Sequence, residues 1–129
     1  MTDDVELNLP AEADLVVLAR LTAATIASRA GFDVEEIEDL RLAVDELCLS
    51  LIGGRVVGRI DLRFTYDDDC IEVTCRHRAD HLPEVGSDDD SSMALSTLML
   101  DALVDEHGEH EAAGLRNAWL RKRRMPRPD

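Results

Sequence analysis

The stretch Asp33–Gly53, DVEEIEDLRLAVDELCLSLIG, constrains this chain more than any other. It reads as a helix of about five turns. Asp33 stands where an N-cap belongs, and Glu36, three residues on, makes a capping-box start. Glu35, Glu36, Glu38 and Asp39 put negative charge in the first turns, where the helix dipole favours it. Gly53-Gly54 marks the end. Val34, Ile37, Leu40, Val44, Leu47 and Leu51 recur every three or four residues and draw one apolar stripe. A second, interrupted row holds Asp39, Leu42, Glu46 and Ser50. Glu46 therefore projects from mid-helix beside apolar neighbours, either as a solvated or salt-bridged glutamate or as part of a site.

Something must cover that stripe, and composition says what can. Of 129 residues 45% are hydrophobic and only 3% aromatic, so Leu, Val, Ile and Ala must fill the core. The length is that of one domain, residues 1–129. The formal charge of -14, from 28 acidic against 14 basic residues, argues against direct binding to nucleic acid or to an anionic membrane. It favours a basic protein partner. No run of 18 apolar residues occurs and Met1-Thr2-Asp3-Asp4 is no signal peptide, so a soluble, cytoplasmic protein is expected. Cys48, Cys70 and Cys75 lack a framework spacing and fit reduced thiols. Neither they nor the pairs His77/His81 and His107/His110 make a convincing ligand set, and no metal centre is expected.

Around the central helix the other elements follow. Val5–Leu9 alternates as a half-buried strand. Pro10-Ala11-Glu12 opens a helix that runs to about Ala30 and is apolar nearly all round, as a helix with two things to touch would be. Arg20 stands alone in that surface: either its stem snorkels to water, or it is a fork-shaped donor in an interface. Arg59–Tyr66 and Cys70–Arg76 alternate and form an antiparallel hairpin about Asp67-Asp68-Asp69. Residues 77–92 read as a lid-like loop with Pro83, Gly86 and Asp88-Asp89-Asp90. Ser92 caps a third helix, Met93 to about Glu106, which Gly108 ends. Leu115–Arg124 is a last strand, and 122–129 a basic, frayed tail. The order predicts an α+β two-layer sandwich, a mostly antiparallel sheet with three helices on one face.

The segments LVVLARLTAATIA and DLRLAVDELCLSLI carry a resemblance. The chain looks like a small member of the Bergerat-type (GHKL) ATPase fold, and more narrowly is similar to the anti-sigma factor serine kinases, which hold bacterial stress and sporulation sigma factors. The second segment resembles that family's helix LAVSEACTNAI. The resemblance extends over nearly the whole chain.

It implies roles residue by residue. Glu46 matches the glutamate that activates the substrate serine, and Ser50 stands where an asparagine would hold magnesium, one turn away. The family's adenine motif, Asp-x-Gly-x-Gly, falls on His77-Arg78-Ala79-Asp80-His81 and does not match. Its phosphate-gripping Gly-x-Gly falls on Ala94-Leu95-Ser96, where only the helix start remains. Gly114 matches the glycine of the last strand, but Leu115 replaces its threonine. Three acids in the lid would also oppose a triphosphate. Arg20 matches the arginine that contacts both the sigma factor and the STAS-type anti-anti-sigma protein. Two functions are implied. One is a partner-switching anti-sigma factor, a homodimer, with ATP binding weakened or lost. The other is a Mg-ATP-dependent kinase of a STAS protein, in which Mg-ATP or ADP is the cofactor, Glu46 the base, and Ser50, Ala94 and Ser96 line the nucleotide.

Overall fold

The structure is a computed structural model and describes residues 2–52, 58–78, 90–112 and 115–126. Five strands form one sheet: β1 (Asp3–Pro10), β2 (Arg59–Tyr66), β3 (Cys70–Arg78), β4 (Glu106–Ala112) and β5 (Leu115–Arg123). Their spatial order is β1-β2-β3-β5-β4 and every pairing is antiparallel. Three helices, α1 (Val16–Arg29), α2 (Val34–Ile52) and α3 (Asp90–Leu103), make the second layer. This is the expected α+β sandwich. Among the described residues no helix is long and apolar enough to cross a membrane.

Period-two alternation sends Ile60, Leu62, Phe64, Ile71, Val73, Cys75, Ala118 and Leu120 under the helices, all buried. Register joins them in rows: Leu62 faces Cys75, Phe64 faces Val73, and Val73 faces Leu120. The hairpin turn is set by Asp67, whose carboxylate accepts the Asp69 and Cys70 amides at 2.8 and 2.9 Å. The opposite sheet face is polar and paired across strands. Arg121 spans Glu72 and Glu106, Arg63 meets Asp4, and Arg78 meets Asp61.

The α1–α2 hairpin is fixed at both ends of its short link. Gly31, at φ 86°, closes α1 in a Schellman motif: Phe32 donates to the Ala27 carbonyl and Gly31 to that of Ser28. Phe32 is buried beneath the turn. Then comes the capping box. The Glu36 amide donates to Asp33 at 2.8 Å and the Asp33 amide to Glu36 at 2.9 Å. The first helix starts later than expected, since a 3-10 turn over Ala13–Leu15 precedes it. Val34 does not join the apolar stripe and is 79% exposed. At about 100° per residue it lies far round from Leu40, Val44 and Leu47, where Ala43 and Cys48 are buried instead. Gly53-Gly54 lies outside the described residues.

The C-terminal third corrects three expectations. The third helix begins at Asp90, so Ser92 lies inside it, and it stops at Leu103. The segment read as its end and stop is strand β4, EHGEHEA, an edge strand with no apolar alternation to announce it. Residues 77 and 78 of the expected lid belong to β3, and 79–89 lie outside the described residues. Residues 122–126 are not a frayed tail. Lys122 is buried and donates to the Leu103 carbonyl at the end of α3, while the Met125 amide donates to Glu36 at 2.7 Å.

Gly108 has a different duty from the helix stop it was read as. Across the β4–β5 pair it sits under Trp119, and a Cβ there would fall 2.7 Å from the indole nitrogen. Trp119 is held in turn by the Arg121 guanidinium, 5.7 Å above its ring. Gly108→Ala is expected to cost about 1–3 kcal/mol through displacement of the ring. Urea unfolding followed by the fluorescence of this single tryptophan measures it.

Candidate functional site

The antiparallel α1–α2 hairpin brings the middle of one helix against the middle of the other. There Arg20 of α1 donates from Nη1 to Oδ2 of Asp45 on α2 at 3.1 Å. Both side chains are about one-third exposed, at 33% and 29%. Leu18 and Leu21 on α1, and Leu42 and Leu49 on α2, are exposed on the outer surface of the same two helices. The arginine that the sequence sets amid apolar residues thus lies beside exposed leucines, but its partner, Asp45, was not foreseen. The signal was available: a link of a few residues between helices puts positions with a constant number sum side by side, and 20 pairs with 45 as 29 does with about 36.

Another flank of α2 carries the residues matched to nucleotide chemistry. One helical turn separates Glu46 from Ser50, and Asp39 lies on the same side, 3.9 Å from Lys122 of β5. Glu46 leaves α2 about 100° round from Asp45, the residue that holds Arg20. Among the described residues the Glu46 carboxylate has no hydrogen bond or ion pair. The Ser50 hydroxyl is turned back onto its own helix and donates to the Leu47 carbonyl at 3.0 Å. Ala94 and Ser96 are not at a helix start. They stand in the second turn of α3, where backbone amides bond to carbonyls four residues earlier instead of pointing at a ligand. Magnesium needs several hard oxygens in a near-octahedral set. Among the described residues that set supplies one carboxylate, from Glu46, while the Ser50 hydroxyl is spent on its own helix, so these positions do not fit Mg-ATP. A cavity of about 640 Å³ does exist, but it opens on the far, polar face of the sheet, lined by Glu6, Asn8, Asp61, Arg63 and Arg76.

Beneath α2 two thiols meet. Cys48 of α2 and Cys75 of β3 are fully buried, and their side chains are in hydrogen-bond contact. The Cys75 contact, followed by burial, pushes the Cys48 thiol well above the ordinary value of 9.0. Only a thiolate reacts readily with oxidants or disulfides. Cys48 is therefore expected to resist a disulfide reagent at pH 8 in the folded protein and to react on unfolding, as a thiol-counting assay would register. The folded state holds this proton more tightly than the unfolded one. Its contribution to stability is complete below about pH 9 and is lost as pH rises through the folded value.

No protein-family model matches the chain. Curated proteins do. The serine-protein kinase RsbW of Bacillus velezensis is 29% identical over 121 residues, covering 81% of this chain and 76% of that protein, and RsbW of Bacillus subtilis gives the same figures. RsbW of Bacillus cereus is 34% identical over 74 residues, which is 55% of this chain and 46% of that protein. On a sheet-and-three-helix frame with a capped central helix, the chain is thus similar to the serine-protein kinases named RsbW over most of its length.

Proposed function

We propose that this chain is an anti-sigma factor that sequesters an alternative sigma factor of the stress or sporulation type. The sigma factor docks on the α1–α2 surface and is released by partner switching with a STAS-type anti-anti-sigma protein. ATP binding is weakened or lost. The observation that carries this reading is the half-buried Arg20 beside exposed leucines, held to Asp45 of α2. Charge supports it. Many arginines of the sheet are paired there, whereas the helix layer exposes Glu35 and Glu38 and leaves Glu46 half-buried, a surface suited to a basic partner. A homodimer and a cytoplasmic location belong to the same reading.

The test is calorimetric titration of purified alternative sigma factors into the protein, with ATP and magnesium titrated separately. Micromolar or tighter capture of one sigma factor is expected, with no heat of comparable affinity from Mg-ATP. Indifference to every sigma factor sinks the proposal. A second reading, a Mg-ATP-dependent kinase of a STAS protein, is favoured by the name of the relatives and by the Glu46 carboxylate, which meets no partner among the described residues. Transfer of labelled phosphate to a STAS protein, abolished by Glu46→Ala, would establish it instead.

A further inference from the structure

Arg20 and Arg121 are held differently. Arg121 uses three nitrogens on two carboxylates, Glu72 and Glu106, and is fully committed to the sheet. Among the described residues Arg20 uses Nη1 alone, on one oxygen of Asp45, and its Nε is buried with no acceptor; Arg41 is held likewise by Glu38, but within one helix, whereas Arg20 and Asp45 bridge two. An arginine committed on three nitrogens, as Arg121 is, has little left to offer a partner. One left free would lose several rotatable bonds' worth of freedom on docking. The observed state is intermediate: the head group is tethered at one corner, and the rest of the fork meets no acceptor among the described residues.

We propose that Asp45 is a positioning residue for partner docking. It holds the Arg20 guanidinium in the groove between α1 and α2, so that an incoming protein meets an arginine already in place. The inference rests on the docking role proposed for Arg20. Asp45 acts through Arg20 and does not touch the partner itself. The exposed Leu21, Leu42 and Leu49 supply the apolar rim that excludes water from the contact. Because the pair is neutral as a whole, its effect falls on how long the complex lasts more than on how fast it forms.

The test is a double-mutant cycle on the captured sigma factor, read as association and dissociation rates by surface plasmon resonance. Asp45→Asn is expected to speed dissociation about fivefold, the order expected when one side chain must be immobilised on binding. Asp45→Glu, which can still reach Arg20, restores the rate to within about twofold. Asp45→Asn added to Arg20→Ala changes nothing further. Thermal unfolding of each variant checks that it folds, and Asp45→Ser serves if the asparagine variant does not. Dissociation unchanged or slowed in Asp45→Asn overturns the proposal, because Asp45 would then be idle or a competitor of the partner. An equal loss in the Arg20→Ala background overturns it too, because Asp45 would then be a separate contact. If the wild-type chain captures no sigma factor, the docking reading fails and takes this inference with it. Capture that persists without any role for Asp45 refutes the inference alone.

Discussion

Replacing Glu36 with alanine is expected to lower the unfolding free energy by about 2–4 kcal/mol, from the sum of a lost cap and a lost hydrogen bond to a buried charge. Glu36 is 5% exposed and its two oxygens serve two distant parts of the chain. Oε1 accepts the Asp33 amide and completes the capping box of α2. Oε2 accepts the amide of Met125, 89 residues away, just beyond β5. The C-terminal segment is pinned further by Arg124, whose amide donates to the Asp69 carbonyl and whose Nε donates to that of Asp68. Glu36 thus ties the start of the central helix to the end of the sheet. Urea unfolding compares Glu36→Ala with Glu36→Gln. Glutamine keeps an acceptor for one amide and should recover part of the loss. A cost below about 0.5 kcal/mol, typical of an unconstrained surface site, would show that the clip contributes nothing.

That clip also shows where sequence reading succeeds and where it stops. Asp33 and Glu36 are three residues apart, so the capping box was legible from local spacing. The second bond of Glu36 joins residues 36 and 125 and leaves no local trace. The same division runs through the fold. β2 and β3 announced themselves by alternation, because one face of each is buried and the other is wet. β4 was missed because its edge position gives EHGEHEA no apolar face. Gly108 was taken as a helix stop because a strand glycine and a C-cap glycine look alike until Trp119 is seen above it. The site was legible in the same partial way. Arg20 and Glu46 could be picked out as polar groups in apolar settings. Asp45 is one more acid in an acidic helix until α1 is laid beside it. The placing of Ala94 and Ser96 depended on a helix start that the sequence put too late, at Met93 after its capping Ser92 for an observed first residue of Asp90, compounded by where the motif was laid.

Arg20→Ala is expected to weaken capture of the cognate sigma factor by more than about 1 kcal/mol, and by about 2 kcal/mol if Arg20 is the central anchor of the surface. The magnitude follows from the surroundings. An arginine bordered by apolar side chains gains from the exclusion of water, and Leu21, Leu42 and Leu49 are exposed on the two helices that hold it. Stability should barely change. A one-third-exposed ion pair such as Arg20–Asp45 contributes about 1 kcal/mol or less to folding. Affinity and stability are thereby separable in one variant, which a residue of the core could not offer. The comparison is Glu46→Ala: the Glu46 side chain leaves α2 about 100° round from Asp45, toward Asp39 and Ser50, and its removal should leave capture within about twofold of the wild type. Calorimetry on the three proteins decides the matter. If Arg20→Ala binds as the wild type does while Glu46→Ala does not, the docking surface lies further round the central helix, on the side of Asp39, Glu46 and Ser50.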